Sequence, residues 1–217
     1  MRLYDIILFD LDDTLYTTSS GLWEAISVRI YSYMQDVLSI PTEEIHTLRR
    51  AYLDQYGTTL AGLMENCVVD PHDYLDYVHD VSLQSYIDPN PHLDQMLQSL
   101  PQNKIIFTNA SEGHAQRVLD RLGISSHFSA IIGVETLQFI NKPQPEAFHR
   151  VLNLLHDPAP GTCIMVEDRA VNLKPAHALG MGTVLVNGEA ALPWVDHRIN
   201  SILELAPLLN PPPAQTD

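Results

Sequence analysis

Cysteine is scarce in this sequence: only Cys67 and Cys163 occur among 217 residues. The two lie far apart, and Cys163 falls inside an apolar run, where a buried thiol is the usual state. Their spacing matches neither a metal-binding pair nor a redox pair. A disulfide framework is therefore excluded, and we expect a reducing compartment.

Long hydrophobic segments are also missing. No apolar run approaches the ~20 residues that a membrane-spanning helix requires. The N-terminus reaches Asp5 before any hydrophobic region develops, which is unlike a signal peptide. We therefore expect a cytoplasmic protein that has no membrane partner.

Basic residues are few, with 12 lysines and arginines against 27 aspartates and glutamates and a formal net charge of -15. Such a surface repels nucleic-acid phosphates, so no nucleic-acid partner is expected. A small anionic substrate is compatible with this charge, because a local cation or a bound metal dominates at short range. Apolar residues make up 45% of the chain, which is enough to bury a core and excludes a disordered protein.

Short apolar runs alternate with helical patterns along most of the chain. Four continuous runs rich in β-branched residues predict buried parallel strands. They cover residues 6–9, 105–107, 163–166 and 184–186, with 130–132 as a weaker fifth candidate. Between them, apolar residues recur with helical spacing and stop at glycine or proline. This alternation predicts an α/β fold with a parallel sheet that is covered on both faces.

One long stretch interrupts the alternation. Residues 17–85 contain helical patterns and no strand-like run. Because this stretch falls between the first and second strands, we expect a helical cap inserted over the end of the sheet. The predicted organisation is a core of residues 1–16 and 86–210, a cap of residues 17–85 and a disordered tail of residues 211–217.

Two aspartates follow the first predicted strand. Asp10 and Asp12 are two residues apart, so in an extended segment their side chains point into the same cleft. Carboxylates this close repel each other unless a cation or a shared proton relieves them. The pair suits a nucleophile beside a general acid with a divalent metal, although an acidic turn would show the same residues.

Polar residues also follow two other predicted strands. Thr108 and Asn109 precede Ser111 at the start of a predicted helix, a position that suits either a phosphate cradle or an ordinary helix cap. Glu167 and Asp168 follow another strand, as metal ligands or as the acids that commonly begin a helix. Each of these elements alone therefore has an ordinary structural explanation.

Lys142 adds a cation to this set. It lies in a predicted loop, where a lysine is most often solvated, and we expect its removal to leave the fold intact. The joint placement changes the interpretation, because ligands of open α/β sheets bind at the carboxyl ends of the strands. Together these residues supply a nucleophile, an acid, oxygen ligands for magnesium, a phosphate-binding hydroxyl and a cation.

Four motifs thus stand in a fixed order along the chain. They are Asp10-x-Asp12-x-Thr14, Thr108-Asn109, Lys142-Pro143 and Glu167-Asp168. This order resembles the haloacid dehalogenase superfamily of phosphohydrolases, and the resemblance covers nearly the whole chain. It implies a Rossmann-like core with an inserted helical cap. True dehalogenases of this superfamily lack the second acid of the first motif, so Asp12 favours hydrolysis of a phosphate ester.

The resemblance also implies catalytic roles for single residues. Asp10 would be the nucleophile that forms an aspartyl-phosphate, and Asp12 would act first as general acid and then as general base. Thr108, Asn109 and Lys142 would hold the phosphate of a small phosphomonoester.

A magnesium ion is implied in the same way. Its ligands would be Asp10, the carbonyl oxygen of Asp12, and Asp168. Glu167 would contribute directly or through a water molecule.

A narrower likeness concerns the predicted cap and the second motif. Residues 52–57 and 108–117 resemble the pyrimidine 5′-nucleotidase branch known from fungi and bacteria. This likeness implies UMP, CMP or a related small phosphomonoester as the substrate, with Tyr52 and Tyr56 as candidate substrate contacts. Packing inside the cap is the alternative role for the two tyrosines, because they lie four residues apart on one helix.

Rival functions remain open. Within the same superfamily they are a sugar-phosphate or phosphoglycolate phosphatase and a phosphomutase. Outside the enzymes, the rival is a phospho-acceptor domain like a response-regulator receiver, but receivers carry no long insert after the first strand. We expect a monomer or a small homo-oligomer. The histidines predict no metal site, and His72 and His79, two turns apart on one helix, are expected to be solvated.

Overall fold

Six parallel strands form one sheet in the computed structural model of the protein, which describes residues 4–188 and 191–210. Across the described residues the strand order is β3-β2-β1-β4-β5-β6. The strands are β1 (Ile6–Phe9), β2 (Asn103–Phe107), β3 (Ala130–Ile132), β4 (Cys163–Glu167), β5 (Gly182–Val186) and β6 (His197–Ile199). The predicted α/β fold and its Rossmann-like parallel sheet are confirmed. The predicted tail, residues 211–217, lies outside the described residues.

Helices connect the strands. The insertion between β1 and β2 contains α1 (Leu22–Ser32), which continues as a π-helical turn over Tyr33–Val37, then α2 (Thr42–Tyr56), α3 (Thr59–Asn66), α4 (Pro71–His79) and α5 (Pro91–Gln98). The later connections contain α6 (Glu112–Leu122), α7 (Pro145–Leu154), α8 (Ala170–Ala178) and α9 (Leu205–Leu209). Residues 17–85, the predicted cap, contain helices and no strand. No helix in the described parts of the chain has the length and hydrophobicity to cross a bilayer.

Alternate residues of each central strand enter two separate hydrophobic cores. In β1, Ile7 and Phe9 pack on the face that also holds the cap and helices α5 and α6, while Leu8 packs on the face covered by α7 and α8. Each of these three side chains is fully buried. A strand that is buried on both faces requires a continuous apolar sequence, which explains why periodicity identified β1.

The strand register brings the carboxyl ends of the central strands to one level. Phe9 of β1 lies opposite Ile106 of β2 and Val166 of β4. The backbone N–H of Asp10 then donates to the carbonyl of Val166, at 2.9 Å. Residues that follow β1, β2 and β4 therefore meet at one edge of the sheet, which is where ligands bind in such folds.

Gly57 makes the cap and the loop of Lys142 approach closely. It ends α2 with φ +86°, a left-handed conformation that glycine adopts without strain. A Cβ at this position would lie 2.6 Å from Pro143 Cδ and 2.7 Å from Asn141 Nδ2. The side chain of Asn141 also donates to the Tyr56 carbonyl, at 2.9 Å. The end of α2 thus rests directly on the loop that carries Lys142.

We expect Gly57→Ala to destabilise the protein more than Gly180→Ala, because the two glycines share the same backbone strain but not the same surroundings. Gly180 has φ +87°, and a methyl group at this position would meet nothing within 4 Å. Gly180→Ala therefore measures the cost of the left-handed backbone alone, about 1–2 kcal/mol. The methyl group at Gly57 adds a steric cost of roughly 1–3 kcal/mol. Urea unfolding of both variants measures the difference, and equal losses would contradict the close contact.

Candidate active site

A cavity of about 370 Å³ lies between the cap and the carboxyl edge of the sheet. Six of the residues predicted from sequence line this cavity: Asp10, Asp12, Thr108, Asn109, Glu167 and Asp168. The structure therefore brings together side chains that follow three different strands. Lys142 lies beneath them, and Tyr52 and Tyr56 are not among the lining residues.

Asp10 is held at the end of β1 by two side chains. The Lys142 ammonium donates to Oδ1 at 2.6 Å, and the Thr14 hydroxyl donates to Oδ2 at 3.2 Å. Burial raises the pKa of Asp10 to about 7, and the charge of Glu167 adds to this rise while Lys142 opposes it. The two hydrogen bonds therefore fix the orientation of the Asp10 carboxylate, which lies close to the negative charge of Glu167.

Lys142 is fully buried, which rules out the ordinary role of a solvated loop lysine. Its ammonium group donates to Asp10 at 2.6 Å, to the Phe107 carbonyl at 2.8 Å and to Glu167 at 3.3 Å. Burial alone would lower the pKa of Lys142, but the charges of Asp10 and Glu167 raise it. The lysine is thus the permanent cation between two carboxylates, and all three of its ammonium hydrogens have protein acceptors.

The residues after β2 organise the loop of Lys142. The Asn109 side chain donates to the Lys142 carbonyl at 3.0 Å and accepts from the Lys142 backbone N–H at 2.8 Å. The Thr108 hydroxyl oxygen accepts from the Ala110 N–H at 3.0 Å. Ser111 caps α6 by accepting from the His114 N–H at 3.1 Å, which is the helix-cap role that the sequence also allowed. The side chain of Asn109 therefore positions the loop of Lys142. The prediction from sequence was that this side chain binds the phosphate of the substrate.

Glu167 is held rigidly at the end of β4. It accepts from the Arg169 backbone N–H at 3.1 Å and from the side chain of Asn172. Burial would raise the pKa of Glu167, but the Lys142 charge and these hydrogen bonds lower it, so this carboxylate is ionised. Asp168 shows the opposite behaviour: burial, followed by the charge of Glu167, raises its pKa to about 9.

Three carboxylates form a cluster that fits a hard divalent cation. Oxygen atoms of Asp10, Glu167 and Asp168 all lie within 4.8 Å of one another. Oxygen ligands are those that Mg²⁺ prefers, and burial followed by the charge of Glu167 raises the pKa values of both Asp10 and Asp168. The residues present therefore fit the predicted magnesium ion. The Asp12 carboxylate is outside this cluster, which agrees with a contribution through its carbonyl only.

The Asp12 carboxylate has its own hydrogen-bond donors. The Tyr16 hydroxyl donates to Oδ1 at 2.6 Å, and His114 Nε2 lies 3.3 Å from the same oxygen. Burial would raise the pKa of Asp12, but the bonds from His114 and Tyr16 outweigh burial and lower it. Asp10 and Asp12 are thus neighbours in different environments: the pKa of Asp10 is raised and the pKa of Asp12 is lowered. Such a divergence is typical of carboxylates with different catalytic tasks.

Two histidines link the cap to Asp12. His79, the last residue of α4, stacks on His114 of α6 with ring centroids 4.3 Å apart. His79 Nδ1 is 3.0 Å from the Ser111 hydroxyl, and Arg117 donates to the His79 carbonyl at 2.6 Å. His79 is buried, so its predicted solvation is wrong. Burial followed by the charge of His114 holds the pKa of His79 well below its usual value, which keeps this ring neutral.

Tyr52 and Tyr56 are placed away from the cavity and contact each other, with ring centroids 6.2 Å apart. Tyr52 packs so tightly on Gly62 that a Cβ there would overlap its ring. The Tyr56 hydroxyl lies at 3.5 Å from Asn66 Nδ2. This arrangement favours the packing role for both tyrosines over contact with the substrate.

The cap wall of the cavity contains residues that sequence reasoning missed. It is lined mainly by apolar and aromatic side chains, including Trp23, Ile26, Tyr74 and Leu75. Arg49 is the cation on this wall and is 8% exposed. A signal for it existed, because α2 buries residues 45, 49 and 52 on one face, and a basic residue there interrupts the apolar stripe. The same reasoning on α4 would have placed His79 on the buried face.

The chain belongs to the haloacid dehalogenase-like hydrolase family. The model of this family matches residues 4–180. Solved structures share the fold over almost the full length. A HAD phosphatase from Thermococcus onnurineus is 19% identical with a TM-score of 0.64, and covers 97% of this chain and 98% of its own. The L-2-haloacid dehalogenase of Xanthobacter autotrophicus is 16% identical with a TM-score of 0.61, and covers 95% of this chain and 98% of its own.

Several proteins are similar in sequence. Phosphate metabolism protein 8 of Saccharomyces cerevisiae is 27% identical over 195 residues, which are 83% of this chain and 60% of that protein. A phosphoglycolate phosphatase of Chromobacterium violaceum is 32% identical over 122 residues, 52% of each chain. The glyceraldehyde 3-phosphate phosphatase of Methanocaldococcus jannaschii is 28% identical over 221 aligned positions, 94% of this chain and 96% of that protein. The chain thus spans little more than half the length of the first two.

We expect Lys142→Met to destabilise the fold, contrary to the expectation from sequence. Removing one partner of a buried ion pair leaves an uncompensated charge, which costs about 3–5 kcal/mol. Lys104→Met is the matched control: Lys104 is also buried, but its ammonium donates to the carbonyls of Leu100 and Gln102. Urea unfolding at pH 8 with a chelator measures both, and a loss at Lys142 no larger than that at Lys104 would contradict the ion-pair assignment.

Metal-free protein is expected to lose stability as the pH rises from about 6.5 to 9. Asp10 and Asp168 have pKa values of about 7 and about 9, above those of an unfolded chain, so the folded state binds more protons in this range. A Mg²⁺ ion at this cluster would require ionised carboxylates, and its stabilising effect should therefore be larger at pH 9 than at pH 6.5. Urea unfolding with MgCl2 or a chelator tests this. An equal effect of Mg²⁺ at both pH values would contradict the assignment.

Proposed function

We propose that this protein is a Mg²⁺-dependent phosphomonoester hydrolase that forms an aspartyl-phosphate on Asp10, and that pyrimidine nucleoside 5′-monophosphates are its substrates. The observation that carries the proposal is the pair of unlike carboxylates in one cavity. An ammonium group holds Asp10, whereas a phenol and an imidazole hold Asp12. Transfer of a phosphoryl group to a carboxylate, with proton transfer to the leaving oxygen, requires two such groups side by side.

The reaction has two steps. In the first, an oxygen of Asp10 attacks phosphorus, the ester P–O bond breaks, and Asp12 gives its proton to the leaving oxygen. In the second, Asp12 takes a proton from water while the water oxygen attacks phosphorus and the bond from phosphorus to Asp10 breaks. The two proton transfers cancel, so the protein returns to its starting state with nucleoside and phosphate released.

Asp12 must carry a proton in the first step, although its pKa is lowered in the free protein. A phosphate dianion next to Asp12 opposes ionisation and raises this pKa in the substrate complex. Once the proton has been given up, the hydrogen bonds from Tyr16 and His114 stabilise the carboxylate that serves as the base. The same two donors keep one oxygen of Asp12 occupied and leave the other to face the reacting atoms.

The remaining residues bind the phosphate and the metal. The Thr108 oxygen accepts from the Ala110 N–H, and its hydroxyl hydrogen, which has no acceptor among the described residues, would donate to a phosphoryl oxygen. Lys142 reaches the phosphate by releasing Glu167, which accepts its longest hydrogen bond, at 3.3 Å. Asp10, Glu167, Asp168 and the Asp12 carbonyl would hold Mg²⁺, which when bound neutralises charge on the phosphoryl oxygens.

The cap wall supports a nucleotide as the substrate. A cavity of about 370 Å³ is within the range of small-molecule sites, and its apolar and aromatic wall suits a flat base better than a two-carbon acid. The names of the relatives favour a second candidate, a phosphatase of sugar phosphates or phosphoglycolate. A phosphomutase would return the phosphoryl group to a sugar, and a receiver-like protein would become phosphorylated without turnover.

A screen of phosphomonoesters tests the substrate class. UMP, CMP, AMP, ribose 5-phosphate, glyceraldehyde 3-phosphate and phosphoglycolate are compared by kcat/KM, each with MgCl2 and with a chelator. The proposal predicts the highest values for UMP and CMP and no turnover in the chelator. The highest value for phosphoglycolate or a sugar phosphate would favour the second candidate, and full turnover in the chelator would refute the metal assignment.

Asp12→Asn is expected to separate the two steps according to the leaving group. A nucleoside 5′-alkoxide is strongly basic and needs the acid, so UMP should lose about 10²–10⁴ in the rate of phosphorylation. A nitrophenolate leaves as a stable anion, so p-nitrophenyl phosphate should still phosphorylate Asp10 and then stall without the base.

The expected signature is a burst of nitrophenol close to one equivalent per protein, followed by slow turnover. Asp10→Asn is the matched control and should give no burst, because it lacks the nucleophile. Stopped-flow absorbance measures both variants. If Asp12→Asn turns over both substrates at the rate of the unaltered protein, the acid–base assignment is wrong.

A further inference from the structure

Arg49 is a buried cation without a carboxylate partner among the described residues. It is 8% exposed, and the guanidinium Nη1 donates to the Ser27 hydroxyl at 2.8 Å. The face of the guanidinium lies 4.6 Å from the centre of the Tyr31 ring. Its Nε is buried and has no hydrogen-bond partner in the part of the chain that the structure describes. A buried donor left unpaired is costly, so a bound water or a ligand is needed to pair it.

Arg49 also lines the cavity of the active site, on the cap wall. Asp10 and Thr108 line the same cavity from the sheet edge. A substrate whose phosphate lies at the sheet edge therefore presents its leaving group to the cap wall. Arg49 shares that wall with Tyr74 and Ile30, and among the described residues the guanidinium makes no hydrogen bond to either. A substrate that reaches the cap wall can therefore supply the missing acceptor.

We infer that Arg49 donates an N–H to the O2 carbonyl of a pyrimidine base and thereby selects pyrimidine over purine nucleotides. This inference rests on the proposed nucleotidase function. Uracil and cytosine both carry O2 as an exocyclic hydrogen-bond acceptor in the plane of the ring. The acceptor that purines present at the equivalent edge, N3, lies within the ring and projects less far toward a donor. A neutral carbonyl would accept from the guanidinium without bringing a second buried charge onto an apolar wall.

The alternative is that Arg49 only packs the cap, by hydrogen bonding to Ser27 and stacking on Tyr31. Arg29 offers a matched control for that role. It is also a cap arginine, lies 4.2 Å over the Tyr77 ring, and is not among the cavity residues. Unlike Arg49, it has an acidic partner, Asp80, at 3.3 Å.

The first test compares Arg49→Met and Arg29→Met on UMP, CMP, ribose 5-phosphate and phosphoglycolate. Arg49→Met should lower kcat/KM for UMP and CMP by about tenfold to a hundredfold, mainly through KM, as expected for a lost hydrogen bond to a charged donor. Ribose 5-phosphate, which has no base, should lose far less. Arg29→Met should keep the substrate ranking of the unaltered protein.

The outcomes separate the possible errors. Equal losses on UMP and ribose 5-phosphate would assign Arg49 to packing and overturn the inference. A loss confined to phosphoglycolate would make Arg49 a carboxylate site, which also overturns it. If the unaltered protein prefers ribose 5-phosphate to UMP and CMP, the proposed nucleotidase function itself has failed.

A second test does not depend on how well a variant folds. Sulfur is a weaker hydrogen-bond acceptor than oxygen, so 2-thio-UMP should be a poorer substrate of the unaltered protein than its isomer 4-thio-UMP. Arg49→Lys, which retains the charge but not the planar guanidinium donor, should reduce this discrimination. Equal kcat/KM values for the two isomers with the unaltered protein would overturn the assignment of O2.

Discussion

The buried ammonium group of Lys142 is the interaction on which the active-site region depends. The parallel register places Asp10, Glu167 and Asp168 at one sheet edge, and carboxylates within 4.8 Å of one another repel strongly when water is excluded. Lys142 neutralises part of this charge through Asp10 and Glu167, and Asn109 fixes the backbone of its loop. The charge that remains is what the proposed Mg²⁺ would neutralise. The charges of Lys142 and the three carboxylates therefore affect both the stability of the fold and the proposed reaction.

The cap contributes to the site in two places. At the end of α2, Gly57 allows the cap to rest on the loop of Lys142, so packing of the cap supports the lysine. At the end of α4, His79 stacks on His114, which lies 3.3 Å from Asp12. The cap therefore reaches both carboxylates of the first motif through one intermediate residue each. Its inner wall, with Arg49, completes the cavity into which the leaving group would extend.

Sequence patterns predicted the features that depend on residues close together along the chain. The five predicted strands were found because they are continuous apolar runs, whereas β6 was missed because its exposed edge residues His197 and Arg198 give no such run. The position of Asp10 after β1 also followed from order along the chain. The burial of Lys142 did not, because its partners Asp10 and Glu167 lie 132 and 25 residues away. Contacts of this kind depend on how the strands and the cap assemble, and single-sequence patterns do not contain that information.

The central claim is that Asp10 becomes covalently phosphorylated, and chemical trapping tests it most directly. Protein quenched during turnover of p-nitrophenyl phosphate is treated with borohydride, which reduces an aspartyl-phosphate to homoserine, and peptides are then sequenced by mass spectrometry. The account predicts homoserine at position 10 and unchanged aspartate at Asp12, Asp13 and Asp168. Homoserine at another position, or turnover with no trapped residue, would contradict it.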